Sequence, residues 1–351
     1  MSADTTPLPG VADCMVITGS AGWLGRALVA RMAPLDLRLR LLVHSQAEAA
    51  AVAAATDRAS ATIEIVIGDI SRPTTARRLF HGLPAAPIVV HAAGVIHPRR
   101  VRDFTAVNAD GARHVLRAAA DHGVRRFVHV SSNSPIGVNA HPGDVFRADE
   151  PYRPYLGYGH SKMLAEISVA EAAASGLDTV VVRPPWFYGP YQPPRQTTFF
   201  RLVRRGRFPV VGDGRQRRSM VFVDNLVDGI LLAASSTAAR GRTYWVADER
   251  PYEVGEIVET VGRALRDEGL DVRDPSRPLP AVVGALAERA DRILQSVGVY
   301  QQQIHVLGEM DKTIACDISQ TTADLGYRPA VALYEGMRRS IRWCLDSGLE
   351  L

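Results

Sequence analysis

The chain has 351 residues, of which 46% are hydrophobic and 22% charged, and its formal net charge is +4. This is enough for one large α/β domain with a smaller lobe, and the charge excess is too small to argue for nucleic acid. No apolar run reaches membrane-spanning length, and three cysteines without metal-ligand or CxxC spacing fit a reducing cytoplasm.

Residues 1–11 are expected to form a disordered tail, without the basic start and apolar core of a signal peptide. Beyond them, apolar runs of strand length alternate with helical stretches. Strands are expected at 14–18, 37–43, 62–68, 88–94, 124–132 and 178–184, and helices at 23–32, 46–55, 74–81, 103–122 and 156–175. Continuous apolar strands in such alternation imply a parallel sheet covered by helices on both faces. The Pro- and aromatic-rich stretch 184–196 breaks the pattern. The expected class is therefore α/β: a Rossmann doubly wound parallel sheet over 12–184, and a smaller C-terminal substrate-binding lobe over 185–351, partly interleaved with it. Asp224 and Asn225 read as caps of a helix at 224–235. The apolar stretch 279–299, interrupted by Glu288, Arg289, Asp291 and Arg292, reads as an amphipathic helix.

Gly19, Gly22 and Gly25 stand between the first strand and the first helix, the context a dinucleotide-binding turn requires. Gly19 permits the tight turn, Gly22 lets backbone amides approach a pyrophosphate at the helix N-terminus, and Gly25 allows close helix–strand packing. Trp23 and Leu24 lie within this turn. The second strand ends Leu42-Val43-His44-Ser45, so His44 stands where an acid would bind the ribose 2′-hydroxyl of NAD. Its absence permits NADP and narrowly favours it; Arg26 reads equally as a phosphate partner or a solvated residue. Asp69 and Ile70 follow the third strand, where adenine should lie, and Asp69 can also cap the next helix. Ala92, Ala93 and Gly94 are small enough to let the fourth strand pass close under a cofactor. Asn108, in the next helix, can bond backbone across the sheet.

Tyr158 and Lys162 lie four residues apart and share a helix face. Lysine is scarce, since Lys162 and Lys312 are the only two among 41 basic residues, so a lysine here points to a chemical requirement. A phenol ionises near pH 10, and a nearby ammonium is expected to draw that value down, making Tyr158 an acid–base group for an alcohol or ketone. Ser132, at the end of the fifth strand, can bond the substrate oxygen.

The motifs TGSAGWLG, GDI, HAAG, VSSNSPIG, YGHSK, RPPWFYGP and FVDNLVDGI, in that order and spacing, resemble the extended short-chain dehydrogenase/reductases over about residues 13–345. These include the NAD-dependent epimerase/dehydratase and 3β-hydroxysteroid dehydrogenase group. The resemblance implies NAD(P), no metal, a homodimer through helices 103–122 and 156–175, and a Ser132–Tyr158–Lys162 site. Counting from the start of the serine run would select Asn133 in place of Ser132. Pro185 should pass the nicotinamide. Among eight arginines between 195 and 218, Arg218 matches the position at which nucleotide-sugar epimerases hold a diphosphate, and Arg195 belongs to the same loop region. The stretch 278–343 instead looks like 3β-hydroxysteroid dehydrogenase-like proteins. Three readings stand: an oxidoreductase or epimerase of a sugar or nucleotide-sugar, a reductase of a more apolar alcohol or ketone, and a non-catalytic dinucleotide sensor, which the Tyr–Lys pair disfavours.

Overall fold

The apolar runs become strands where β-branched and leucine side chains can be buried on both faces. In the computed structural model, residues 13–275, 278–280 and 282–351 are described, and the tail expected at 1–11 lies outside them. Six strands arise in the first half: β1 (Cys14–Thr18), β2 (Arg38–Val43), β3 (Thr62–Ile67), β4 (Ile88–His91), β5 (Arg126–Val130) and β6 (Thr179–Arg183). Between them run α1 (Trp23–Met32), α2 (Gln46–Ala55), α3 (Pro73–Phe80), the short α4 (Arg102–Phe104), α5 (Gly111–His122) and α6 (Leu156–Ala174). A π-helical turn, Thr105–Asp110, joins α4 to α5.

The second half supplies β7 (Trp186–Tyr188), β8 (Arg217–Arg218), β9 (Met220–Phe222), β10 (Thr243–Trp245) and β11 (Tyr252–Glu253). It also carries α7 (Pro194–Arg204), α8 (Val223–Ser235), α9 (Val254–Asp267), α10 (Val282–Ser296) and α11 (Gln302–Glu309), then α12 (Ser319–Leu325) and α13 (Leu333–Asp346). One sheet has the order β10-β6-β5-β4-β1-β2-β3, with every neighbouring pair parallel. The strand order reverses between β1 and β4, where a crevice opens at the carboxyl ends. β10 and α8 come from the later half of the chain yet pack with the sheet, so the two halves interleave.

Two sequence expectations are corrected. Neither Asp224 nor Asn225 caps α8, which starts after Phe222 with no side-chain cap bond. Asn225 instead is buried and ties α8 to the segment before α13, donating to Val331 O at 2.8 Å and accepting from Ala330 N and Val331 N at 3.1 Å. In α10 the polar and apolar faces are partly exchanged. Asp291 is buried and bonds His305 Nδ1 at 2.7 Å, whereas Leu286 and Ile293 face outward. A buried partner outweighs the cost of burying that carboxylate.

Candidate active site

Strand register gathers the site at one edge. Thr18 pairs with Leu42 and His91, and His91 pairs with His129, so Gly19, Ala92 and Val130 follow at the same level and Ser131 lies one residue beyond. Gly19 has φ +71°, and a Cβ on it would meet the Ala93 backbone at 2.8 Å. A Cβ on Gly25 would lie 2.0 Å from Gly19 O. Glycine is therefore required for the turn to lie against Ala93 and for α1 to start beneath it. No side-chain bond caps α1 at Gly22 and no acid stands in its first turn, so its leading amides are free to meet an anion. This cradle fits a dinucleotide pyrophosphate.

The other cofactor candidates divide into those that face the crevice and those that support it. Leu24 is buried in the core, so only its backbone serves the turn. Trp23 donates to Pro190 O at 2.7 Å and its ring lies 4.5 Å from that of Phe187, pinning the loop that follows Pro185 against the glycines. Pro185 is buried just past the end of β6. The His44 amide donates to Glu48 Oε2 at 2.7 Å, which puts a carboxylate at the tip of β2. Asp69 accepts from Ser71 N at 2.9 Å and Ser71 Oγ at 2.7 Å. Burial pushes its carboxyl up, but these bonds together with the charges of His44 and Arg72 hold it below its usual range. Ile70 is buried against Gly111. Asn108 sits in the π-helical turn and joins three elements. Its Oδ1 accepts from Val95 N at 2.8 Å, and its Nδ2 donates to Val95 O and Ser161 Oγ, both at 3.0 Å. The loop after Gly94 is thereby fixed to α6 beside Lys162.

Ser132, Tyr158 and Lys162 come together from β5 and α6. The Ser132 hydroxyl donates to Asn133 Oδ1 and lies 3.4 Å from both that atom and Ser134 Oγ, while Asn133 carries the turn, its carbonyl accepting from Ile136 N at 2.9 Å and Gly137 N at 3.0 Å. Lys162 Nζ donates to Val130 O at 2.7 Å and is only 5% exposed. Burial lowers its pKa to about 8, opposed by the carboxylate of Glu166. Beneath it, His91 and His129 stack with ring centroids 5.6 Å apart. Burial and the Lys162 charge hold both imidazoles neutral, His91 with a pKa of about 3.

The electrostatics of Tyr158 differ from the sequence expectation. Burial is the largest influence and raises the phenol to about 12. The nearby Ser132 and then the Arg195 guanidinium oppose it, whereas Lys162 is occupied with Val130 O.

Sequence reasoning missed the pair beneath the site. Glu166, one turn after Lys162, bonds Arg183 through Nη2–Oε2 at 2.6 Å and Nε–Oε1 at 3.1 Å, with both residues 2–3% exposed. Ser131 Oγ and Tyr152 OH also donate to Glu166. The 158–162–166 spacing on one helix face was a usable signal. His97 and Tyr300, joined at 2.6 Å, had none, being 203 residues apart. Arg218 is brought under α11, where its guanidinium donates to Glu309 O and feels the carboxylates of Glu309 and Asp311. A hollow of about 640 Å³ lined by Arg147, Thr243 and Asp317 lies at the β10 edge and shares no residue with the Tyr158 group.

A sheet of this order, with a glycine turn and a tyrosine–lysine helix at its carboxyl edge, defines a dinucleotide-dependent enzyme of the short-chain dehydrogenase/reductase type. The chain belongs to the NAD-dependent epimerase/dehydratase family, whose sequence profile matches residues 15–247. It is 44% identical to the uncharacterized protein y4nL of Sinorhizobium fredii, over 98% of this chain and 99% of that one. It is 28% identical to the 4-hydroxy-2-methyl-3-oxo-4-farnesyl-3,4-dihydroquinoline-1-oxide ketoreductase of Stigmatella aurantiaca, over 92% and 93% of the two chains. Its fold is similar to that of the UDP-glucuronic acid 4-epimerase of Bacillus cereus solved in complex with NAD, with a TM-score of 0.74 at 17% identity over 95% of this chain and 99% of that one.

Proposed function

We propose that the chain is an NAD-dependent ketone reductase or alcohol dehydrogenase acting on a largely apolar substrate, with Tyr158 as its proton donor and acceptor. The observation that carries this reading is the place of Tyr158 on α6 at the carboxyl edge beside the glycine turn, four residues before Lys162, with burial favouring the protonated phenol. A neutral phenol is ready to donate to a ketone oxygen, and Ser132 can bond the same oxygen as charge develops on it. Bound in the crevice, the nicotinamide supplies the hydride donor or acceptor. Lys162, anchored on Val130 O, sits below that place and can reach a ribose hydroxyl by exchanging that bond.

The case for an apolar substrate rests on Arg218. The arginine that would hold a nucleotide diphosphate, Arg218, is engaged by Glu309 O and flanked by acids. The Stigmatella relative, a ketoreductase by name, fits the same reading. A nucleotide-sugar oxidoreductase or epimerase remains the second reading, supported by the many arginines between 195 and 218. For the cofactor, the sequence favours NADP because no acid stands at 43–45. Glu48, folded back onto the His44 amide, supplies a carboxylate that a 2′-phosphate would meet, so NAD is the proposed partner.

Steady-state reduction of a panel of apolar ketones and nucleotide-4-ketosugars with NADH and NADPH tests this, read by the absorbance of reduced nicotinamide. Tyr158→Phe should lower kcat by about 10²–10⁴-fold while leaving dinucleotide affinity within twofold. Undiminished turnover in that variant refutes the mechanism, and turnover confined to nucleotide-sugars refutes the substrate class.

A further inference from the structure

We propose that the outward face of α10 and the adjoining loop 96–102 seat the chain on an anionic lipid bilayer, lying on the surface without crossing it. Val282, Leu286 and Ile293 on α10 and Val297 just after it are 58%, 62%, 60% and 70% exposed. No other large apolar side chain among the described residues is more than 43% exposed. Steps of four, seven and four residues put these side chains in one stripe, about 22 Å long on a helix. The loop is joined to the end of that stripe. Arg100 and Val299 pair in an antiparallel bridge, and Ile96 and Val299 are themselves exposed.

The charge on this face has one sign. The exposed residues of 96–102 and 282–299 include Arg99, Arg100, Arg102, Arg289 and Arg292 and no acid. Asp291 is buried against His305, and Glu288 is half-buried with Arg292 and Lys312 on it. Among the described residues, Arg292 alone of the five arginines makes an ion pair. Arg289 stands inside the stripe, three residues after Leu286 and four before Ile293. Its stem can follow the apolar side chains while the guanidinium stays among headgroups. A bilayer supplies an apolar phase and phosphates together along the whole stripe, and it requires no matching shape. A second copy joined through this face by a two-fold axis would set the same arginines against one another.

The other side of α10 reaches the crevice. Gln295 Oε1 accepts from Gly157 N at 3.1 Å, next to Tyr158. Tyr300, which follows the stripe, bonds His97 at 2.6 Å, and the Phe104 ring, which follows the loop, lies 5.9 Å from that of Tyr158. A chain seated by this face keeps the Tyr158 side of the crevice near the bilayer, where an apolar substrate would be concentrated.

Co-flotation of the full chain with vesicles tests the surface. The vesicles are phosphatidylcholine alone, or phosphatidylcholine and phosphatidylglycerol in equal parts, at about 0.1 M and about 1 M salt. Partitioning at the lower salt should be at least tenfold stronger on the anionic vesicles and should weaken at the higher salt. Arg99→Gln/Arg100→Gln should lower it about 25-fold, about fivefold for each charge. Leu286→Glu/Ile293→Glu should lower it at least as much, because repulsion adds to the lost apolar contact. Both pairs of side chains are exposed, so Tm should move by less than about 2 °C; if the glutamate pair unfolds the chain, the arginine pair decides. Binding to neither vesicle, equal binding to both, or unchanged binding in the arginine pair overturns the proposal. A dimer in sedimentation equilibrium that the glutamate pair breaks, without vesicle binding by the wild type, assigns the face to a second copy and also overturns it. Vesicle binding is read without turnover, so its failure is distinct from failure of the reductase reading.

Discussion

Glu166→Gln isolates what the ion pair beneath the site contributes. The change keeps side-chain shape and removes the charge, leaving the Arg183 guanidinium, 3% exposed, without its anion. Breaking one side of a buried pair costs about 3–5 kcal/mol. For 351 residues, an unfolding entropy of about 2.1 cal/mol/K per residue gives about 0.7 kcal/mol/K, so Tm should fall by about 4–7 °C. Scanning calorimetry on wild type, Glu166→Gln and Glu166→Leu/Arg183→Met checks the reasoning, because the apolar pair should recover most of the loss. A second readout is pH. The Glu166 carboxylate supports the Lys162 ammonium, whose pKa burial has depressed from 10.5 to about 8. Between those values the unfolded chain holds a proton that the native lysine has shed, so wild-type stability gains a contribution that rises with pH across that window. Without Glu166 the lower edge of the window should move to lower pH. A Tm change under 1 °C, together with an unmoved window, would refute the account.

Two further substitutions probe the frame of the crevice. Gly25→Ala places a Cβ 2.0 Å from Gly19 O and 2.7 Å from Ser20 Cα, both backbone, so the turn must open; dinucleotide affinity by fluorescence titration should fall at least tenfold, and wild-type affinity would contradict the tight turn. Asn108→Ala leaves the Val95 amide and carbonyl without their partner and should cost about 2–4 kcal/mol in urea unfolding, with a loss below 0.5 kcal/mol counting against the staple.

The sheet was legible because most of its strands are buried and read as largely apolar runs, the edge strand β3 being only partly covered. The expected ranges match the observed strands to within a few residues, as CMVIT does for β1. The proposed Ser132, Tyr158 and Lys162 group could be picked out because one short helix face and one strand end carry it. What escaped was long-range. Glu48 returns to His44 by a local bond that a search for an acid at 43–45 passes over. Tyr300 reaches His97 only because α10 and α11 pack beside the crevice. Asp291 faces inward because His305, fourteen residues on, awaits it, a pairing that helical periodicity does not encode.

The same distinction explains why the ammonium and the phenol, adjacent in sequence spacing, do not act on each other as that spacing implies. Four residues on a helix bring two Cβ atoms together, but the ends of long side chains go where tertiary partners are. Lys162 runs down to Val130 O and Glu166, and Tyr158 meets Ser132 and the field of Arg195. The chain's own groups thus leave a phenol that keeps its proton to about pH 12. For Tyr158 to accept a proton from an alcohol near neutral pH, further positive charge must arrive; to give one to a ketone, none is needed. That asymmetry agrees with the ketone reduction proposed for these residues, and a bound oxidised nicotinamide is the charge that the reverse direction would call on.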